Sequence, residues 1–259
     1  MKLAKGILAA ALGALVFTSV AGAAPYRMER VTGGLLDLAW QNGYNTSNSM
    51  QPLTLDASHP AYNNPSGDHT VGVATNSIPD SGGICVSITS AQGQNDYVWE
   101  GWIFTGDGNT RRGLLVRATP FENARNFYML VIESGLFQVR FRTFADPPPG
   151  SPPNTPPTVV TLGSWLANTF PSGIPAVNTW HHMKVIAVGN QFRCFWDGHE
   201  LNGATPIVDS THPTGDVGVY NFRFDLGNVP VYFDDLYLSL PESTPAKRVS
   251  MGALKQLYK

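Results

Sequence analysis

Residues Thr179–Leu201 read TWHHMKVIAVGNQFRCFWDGHEL. Apolar and polar side chains alternate along this stretch, and turn residues interrupt it twice. The pattern predicts a strand over His182–Val188, a Gly189-Asn190 turn and a second strand over Gln191–Trp196. An Asp197-Gly198 pair, suited to a type I′ turn, then leads into a short return strand over His199–Leu201. Phe192, Cys194 and Trp196 fall on one face, and Gln191, Arg193 and Phe195 on the other. The first set is the predicted core face. Three antiparallel strands in succession point to an all-β chain.

Moving upstream, strands are predicted over Ile84–Ser90, Tyr97–Gly106, Arg112–Ala118, Phe127–Glu133 and Leu136–Phe144, with Gly106–Asn109 and Ser134-Gly135 as turns. In Leu136–Phe144, Phe137, Val139 and Phe141 alternate with Gln138, Arg140 and Arg142, which predicts a half-buried strand with one wet, basic face. Residues 25–80 are less regular. Val31–Trp40 suits a strand or a helical turn, and brief strands are expected at Leu53–Leu55 and Thr70–Ala74. Residues 145–157, ADPPPGSPPNTPP, hold seven prolines. Proline has no N–H for a ladder, so this is an exposed loop inserted between strands. Val159–Leu162 follows as a return strand, and residues 165–177 as a loop. Val217–Phe224 and Val231–Leu240 close the domain. Strands at regular spacing without an amphipathic helix mark a sandwich or barrel, read as one domain over residues 24–240.

Composition agrees. Charged residues are 14% of the 259, and 26 Gly and 20 Pro suit a turn-rich β-protein rather than a coiled coil. The formal charge is −2, with no Lys/Arg run of the kind a nucleic-acid groove needs. Residues 1–23 read as a signal peptide, with Lys2 and Lys5 ahead of an apolar Ile7–Val20 run and Ala21-Gly22-Ala23 as a cleavage site. Export to the periplasm, the medium or the cell surface is expected, with no membrane span in the mature chain. Residues 241–259 read as a linker and a short basic tail, frayed or used for attachment. Cys85 and Cys194 are either a disulfide or two buried thiols on different strands.

One ordered set of residues carries a resemblance. It comprises Trp180, Val185, Val188, Gly189 and Asn190, then Asp197-Gly198, then Gly215, Val217, Gly218 and Val219, and finally Phe233-Asp234-Asp235-Leu236. The order resembles the concanavalin A-like lectin/glucanase superfamily, especially its laminin-G-like branch and the 3-keto-disaccharide hydrolase domains. The match covers roughly residues 84–240. It implies a jelly roll of two packed antiparallel sheets, one of them curved around a glycan or other surface ligand. Fold alone does not fix function.

The family 16 glycoside hydrolases on this fold carry a Glu-x-Asp-x-x-Glu strand motif, which this sequence lacks. Such hydrolysis needs two carboxylates about 5–10 Å apart. Asp234 and Asp235 are adjacent in a strand and are expected to face opposite ways. Glu100, beside Trp99 and Trp102, is the one weak candidate for a catalytic acid. It is also a candidate ligand contact, with a structural acceptor as the plainer role. Arg140, Arg142, Arg117, Asn221 and Arg223 are read with Glu100 as lining a binding groove, because guanidinium and amide groups suit sugar hydroxyls and uronic carboxylates. No cofactor is indicated. Calcium is considered only through Asp107 and Asn109, or Asp234 and Asp235, whose oxygens are its preferred ligand type. Phe137, Phe141, Trp180, Phe192, Trp196 and Phe233 are assigned to the space between the sheets. The first reading is an exported, non-catalytic domain that binds carbohydrate or another surface ligand. The alternatives are a glycoside-processing enzyme of the 3-keto-disaccharide hydrolase type and a structural or adhesive surface module.

Overall fold

The structure is a computed structural model. It describes residues 26–27, 31–32, 35–36, 40–42, 50–74, 82–87, 96–107, 110–118, 126–133, 135–152, 155–223 and 230–241. The predicted signal peptide and the tail beyond Pro241 lie outside them. The strands in chain order are β1 Tyr26–Arg27, β2 Val31–Thr32, β3 Leu35–Leu36, β4 Trp40–Asn42, β5 Gln51–Thr54 and β6 Thr70–Ala74. Then follow β7 Gly82–Ser87, β8 Tyr97–Phe104, β9 Thr110–Ala118, β10 Phe127–Glu133, β11 Gln138–Ala145 and β12 Thr158–Leu166. The last are β13 Trp180–Val188, β14 Gln191–Trp196, β15 His199–Glu200, β16 Ile207–Val208, β17 Asp216–Arg223 and β18 Val231–Ser239.

Two antiparallel sheets pack face to face. One has nine strands, ordered β15-β14-β13-β8-β18-β6-β5, with β1 paired to β18 and β16 to β14. The other has seven, ordered β12-β11-β10-β9-β17-β7-β4. This is the jelly-roll sandwich expected. The Thr179–Leu201 stretch forms β13, β14 and β15, with Val185 opposite Cys194 and Val188 opposite Gln191. Asp197, at φ 47°, and Gly198, at φ 77°, supply the two left-handed residues that a type I′ turn demands.

Alternation sorts the side chains. Trp99 and Ile103 of β8, Met183, Val185 and Ala187 of β13, and Phe192, Cys194 and Trp196 of β14 point between the sheets. Leu114, Val116, Tyr128, Leu130, Ile132, Val139 and Phe141 of the other sheet meet them. The Tyr128 and Phe192 rings lie 4.6 Å apart, centre to centre, so β10 faces β14. The Trp99 indole N–H donates to the Gly218 carbonyl at 3.0 Å, which satisfies its polar atom inside the core.

Several expectations are corrected. Phe137 lies outside the core, 56% exposed in the turn before β11. Trp180 packs on the outer face of the nine-stranded sheet with Phe104 and Tyr232, beneath the Leu55–His69 loop. The return strand after Pro157 runs to Leu166 rather than Leu162, because one extra residue is absorbed where Phe141 pairs with Gly163 and Arg142 with Thr161. The alternation invoked for Asp234 and Asp235 breaks at a bulge, where the pairing of β18 to β8 shifts between Asp234 and Tyr237 and Asp235 takes φ 47°.

Of the two readings of the cysteines, the unbonded thiol holds at Cys194. Cys194 is a free, fully buried thiol. Cys85 lies on β7, which packs over β6, and β6 is four strands from β14. At about 4.8 Å per strand that is on the order of 19 Å, against about 6 Å for a bridge.

Candidate functional site

Of the six residues assigned to a groove, the five whose side chains are described divide between the interior and the two outer faces. The groove as first drawn is therefore abandoned. Arg117 points inward. Its guanidinium donates to the His212 carbonyl at 3.1 Å and to the Gly189 carbonyl, and lies 4.7 Å from the Phe192 ring centre. It is nearly fully buried and fastens two loops to one end of the sandwich. Asn221 also points inward, where its side-chain N–H donates to the Ala74 carbonyl of the other sheet at 2.8 Å. Arg223 pairs with Thr110 in the ladder, and its side chain lies outside the described residues. Glu100 faces outward from the nine-stranded sheet, beside Trp102 and paired in register with Lys184 and Tyr237.

Arg140 and Arg142 do share a surface, the outer face of the seven-stranded sheet. The register builds it. Glu133 lies opposite Gln138, Val131 opposite Arg140, and Met129 opposite Arg142. On the neighbouring strands, Leu115 and Gly113 of β9 and Tyr220 and Phe222 of β17 share this face. The face is less wet than the alternation suggests. Leu115, Ala118, Phe127, Met129, Val131 and Tyr220 form a buried apolar cluster there, joined by Phe144 and Phe222.

At one end of that cluster sits Glu133, 1% exposed. Its Oε1 accepts Arg142 Nη2 at 2.8 Å and stands 2.6 Å from Arg140 Nη1. Its Oε2 pairs with Arg111 Nε. The Arg111 guanidinium also lies 5.1 Å from the Phe222 ring centre. One carboxylate thus organises three guanidinium groups. Buried charge is tolerated only when paired in this way. Burial pulls Arg142 below its usual value, opposed by the Glu133 carboxylate. Burial likewise raises the Tyr220 hydroxyl, opposed by Arg111. Beside Arg140, Gln138 donates its amide N–H to Ser164 Oγ at 2.6 Å. The arrangement offers planar cationic donors, an amide and aromatic edges on one sheet face.

Glu133 and Arg111 were missed. Glu133 ends the apolar run FYMLVIE and looks like a turn residue. The Ser134-Gly135 hairpin could have exposed it, because it sets Glu133 diagonal to Arg140.

The outer face of the nine-stranded sheet is different in chemistry. Glu100 Oε2 stands 3.5 Å from His182 Nε2 and 3.9 Å from Lys184 Nζ. The His182 ring meets Trp102 edge-on at 5.1 Å. Burial lowers the His182 value, against the pull of Glu100. Next to them, Asp197 accepts the His181 ring N–H at 2.7 Å and the His182 backbone N–H at 2.9 Å.

The residues considered for calcium are occupied locally. Asp107 is 3.9 Å from Arg112 Nη2, Asp234 accepts the Ser66 N–H at 2.8 Å, and Asp235 accepts the Tyr237 hydroxyl at 3.3 Å. Asn109 lies outside the described residues. Among the described residues, no three His, Cys, Asp or Glu side chains gather as metal ligands. Likewise, no described helix is long and apolar enough to cross a membrane.

No known protein family matches the chain, and no curated protein matches it in sequence. Solved structures match in fold. A carbohydrate-binding module, CBM66 from Bacillus subtilis, is 16% identical, with a TM-score of 0.51 over 78% of this chain and 95% of that one. A glycoside hydrolase family 16 endo-glucanase from Bacteroides ovatus is 10% identical, with a TM-score of 0.49 over 84% of this chain and 99% of that one. With its two antiparallel sheets, its strand order and its likeness to the carbohydrate-binding module, the chain has a jelly-roll sandwich fold.

Proposed function

We propose that the chain is an exported, non-catalytic carbohydrate-binding domain that takes its glycan on the outer face of the seven-stranded sheet. One observation carries the reading. The Glu133 cluster presents Arg140, its side chain 29% exposed, at the edge of an aromatic patch on that face. Guanidinium groups pair bidentately with carboxylates and also donate to hydroxyls, so uronate-bearing glycans head the ligand class. Phe222 and Phe144 offer ring surface beside these donors.

The non-catalytic part rests on Glu133. Both its oxygens are engaged by arginines. Glycoside hydrolysis of the two-carboxylate type needs a partner acid about 5–10 Å away. The export part rests on the residue 1–23 pattern.

The test is a glycan array with the mature protein, run beside a turnover assay on ordinary and 3-keto glycosides. Binding of acidic glycans without turnover is expected, and Arg140→Ala should weaken it about tenfold, the equivalent of one charge-assisted hydrogen bond. Turnover would overturn the non-catalytic reading. Absence of both would favour the structural or adhesive module.

A further inference from the structure

The second sheet has an outer face that the proposed glycan site does not use. Near the Asp197-Gly198 turn, Trp102, Trp180, His181, His182, Asp197 and Gly198 line a shallow depression of about 520 Å³. Small-molecule sites occupy about 300–1,000 Å³, so the space suits a compact ligand.

Its walls are fixed and its floor is not fully engaged. Asp197 is held by His181 and by the His182 backbone, and the far nitrogen of His181 lies 2.9 Å from Thr179 Oγ1. The Trp180 indole N–H donates to the Ala61 carbonyl at 3.3 Å. These groups hold the rim in place. Trp102 behaves differently. Its ring is half-buried against His182, yet its indole N–H meets no acceptor among the described residues. Two residues before it on the same face, bordering the depression beside His182 rather than lining it, Glu100 is three-quarters buried, and its carboxylate makes no hydrogen bond among the described residues. Its cations stand back at 3.5 and 3.9 Å.

An indole face, an unused N–H donor and an unused carboxylate acceptor thus sit together on rigid strands. A carboxylate takes two vicinal hydroxyls at once, and an indole covers the C–H face of a sugar ring. We infer that this depression is a second carbohydrate site, specific for a neutral pyranose ring stacked on Trp102 with its hydroxyls on Glu100. An acidic sugar is excluded here, because its carboxylate would meet that of Glu100. The two faces of the sandwich then select opposite chemistries. The site stands independently of the proposed function of the other face.

The test uses the mature protein with 15N-labelled tryptophan. Its six indole N–H signals are followed by NMR, and that of Trp102 is assigned through Trp102→Phe. Cellotetraose, xylotetraose and mannotetraose are the probes. A saturable shift of the Trp102 signal with at least one of them is expected. Glu100→Gln should weaken that binding about tenfold, the loss of one charge-assisted hydrogen bond. Trp102→Ala should abolish it with the far-UV spectrum unchanged. Should Trp102→Ala fail to fold, Glu100→Gln alone decides. Arg140→Ala should leave this binding intact while weakening acidic glycans at the other face. No shift with any probe, or undiminished binding by Glu100→Gln, overturns the inference.

Discussion

At the scale of single residues, His212 shows how the sandwich end is closed. Its backbone N–H donates to the Tyr128 hydroxyl at 3.0 Å, and that hydroxyl donates to Asp209 Oδ1 at 2.6 Å. Burial, helped by Asp209, pushes the Tyr128 hydroxyl up to about 12. The His212 Nε2–H donates to the Phe144 carbonyl at 2.9 Å. Burial holds the imidazole below its ordinary value, against that hydrogen bond. The folded state therefore favours the neutral ring. A depressed value stabilises the fold above the unfolded value, about 6.5 for histidine, and the stabilisation is lost as pH falls through the folded value. Thermal unfolding should show Tm falling between about pH 7.5 and 5, and His212→Asn should flatten that slope. His182, depressed chiefly by burial, adds to the same slope and explains any remainder.

At the scale of the element, β9 has no room for a side chain at Gly113. A side chain at Gly113 would overlap the Leu130 carbonyl oxygen of the paired strand and press on the Val131 Cα at 2.8 Å. Both neighbours are backbone, so nothing yields cheaply. Gly113→Ala should cost more than the about 1–3 kcal/mol of an ordinary overpacked site, read as a drop in denaturant midpoint. The same strand shows where sequence reading stops. Alternation predicted Phe192, Cys194 and Trp196 as core, and the Asp197-Gly198 turn predicted the β14–β15 hairpin. Both depend on neighbours in the chain. Arg111 and Glu133 meet only because β9 and β10 pair in a given register, and no local pattern encodes that. Arg117 misled for a related reason. Its φ of 53° breaks the alternation, so its side chain does not follow the face its position implies. Phe137 was assigned to the core by extending a period-two pattern one residue beyond the strand.

At the scale of the molecule, the sandwich offers two outer faces of unlike character. One carries a buried carboxylate ringed by arginines over an apolar patch, and the other an indole beside a loosely held glutamate. Neither face exists in one segment. Glu133, Arg111, Arg140 and Phe222 come from four strands spread over more than 100 residues, so the site is a property of the assembled sheet. That is why the sequence yields the architecture more readily than the chemistry. Strand and turn signals are written locally, whereas the two surfaces depend on which strands the fold makes adjacent.

The free thiol of Cys194 gives this assembly a built-in clock. It sits at zero exposure between the sheets, and burial raises it well above the usual thiol value, so it is neither reachable nor nucleophilic in the closed molecule. A thiol reagent can attack it only after β14 separates from the opposing sheet. In a Cys85→Ser background, the labelling rate should therefore follow the opening equilibrium of the whole sandwich and rise with urea along the unfolding curve. Rapid labelling in native buffer would show that β14 breathes independently of the rest.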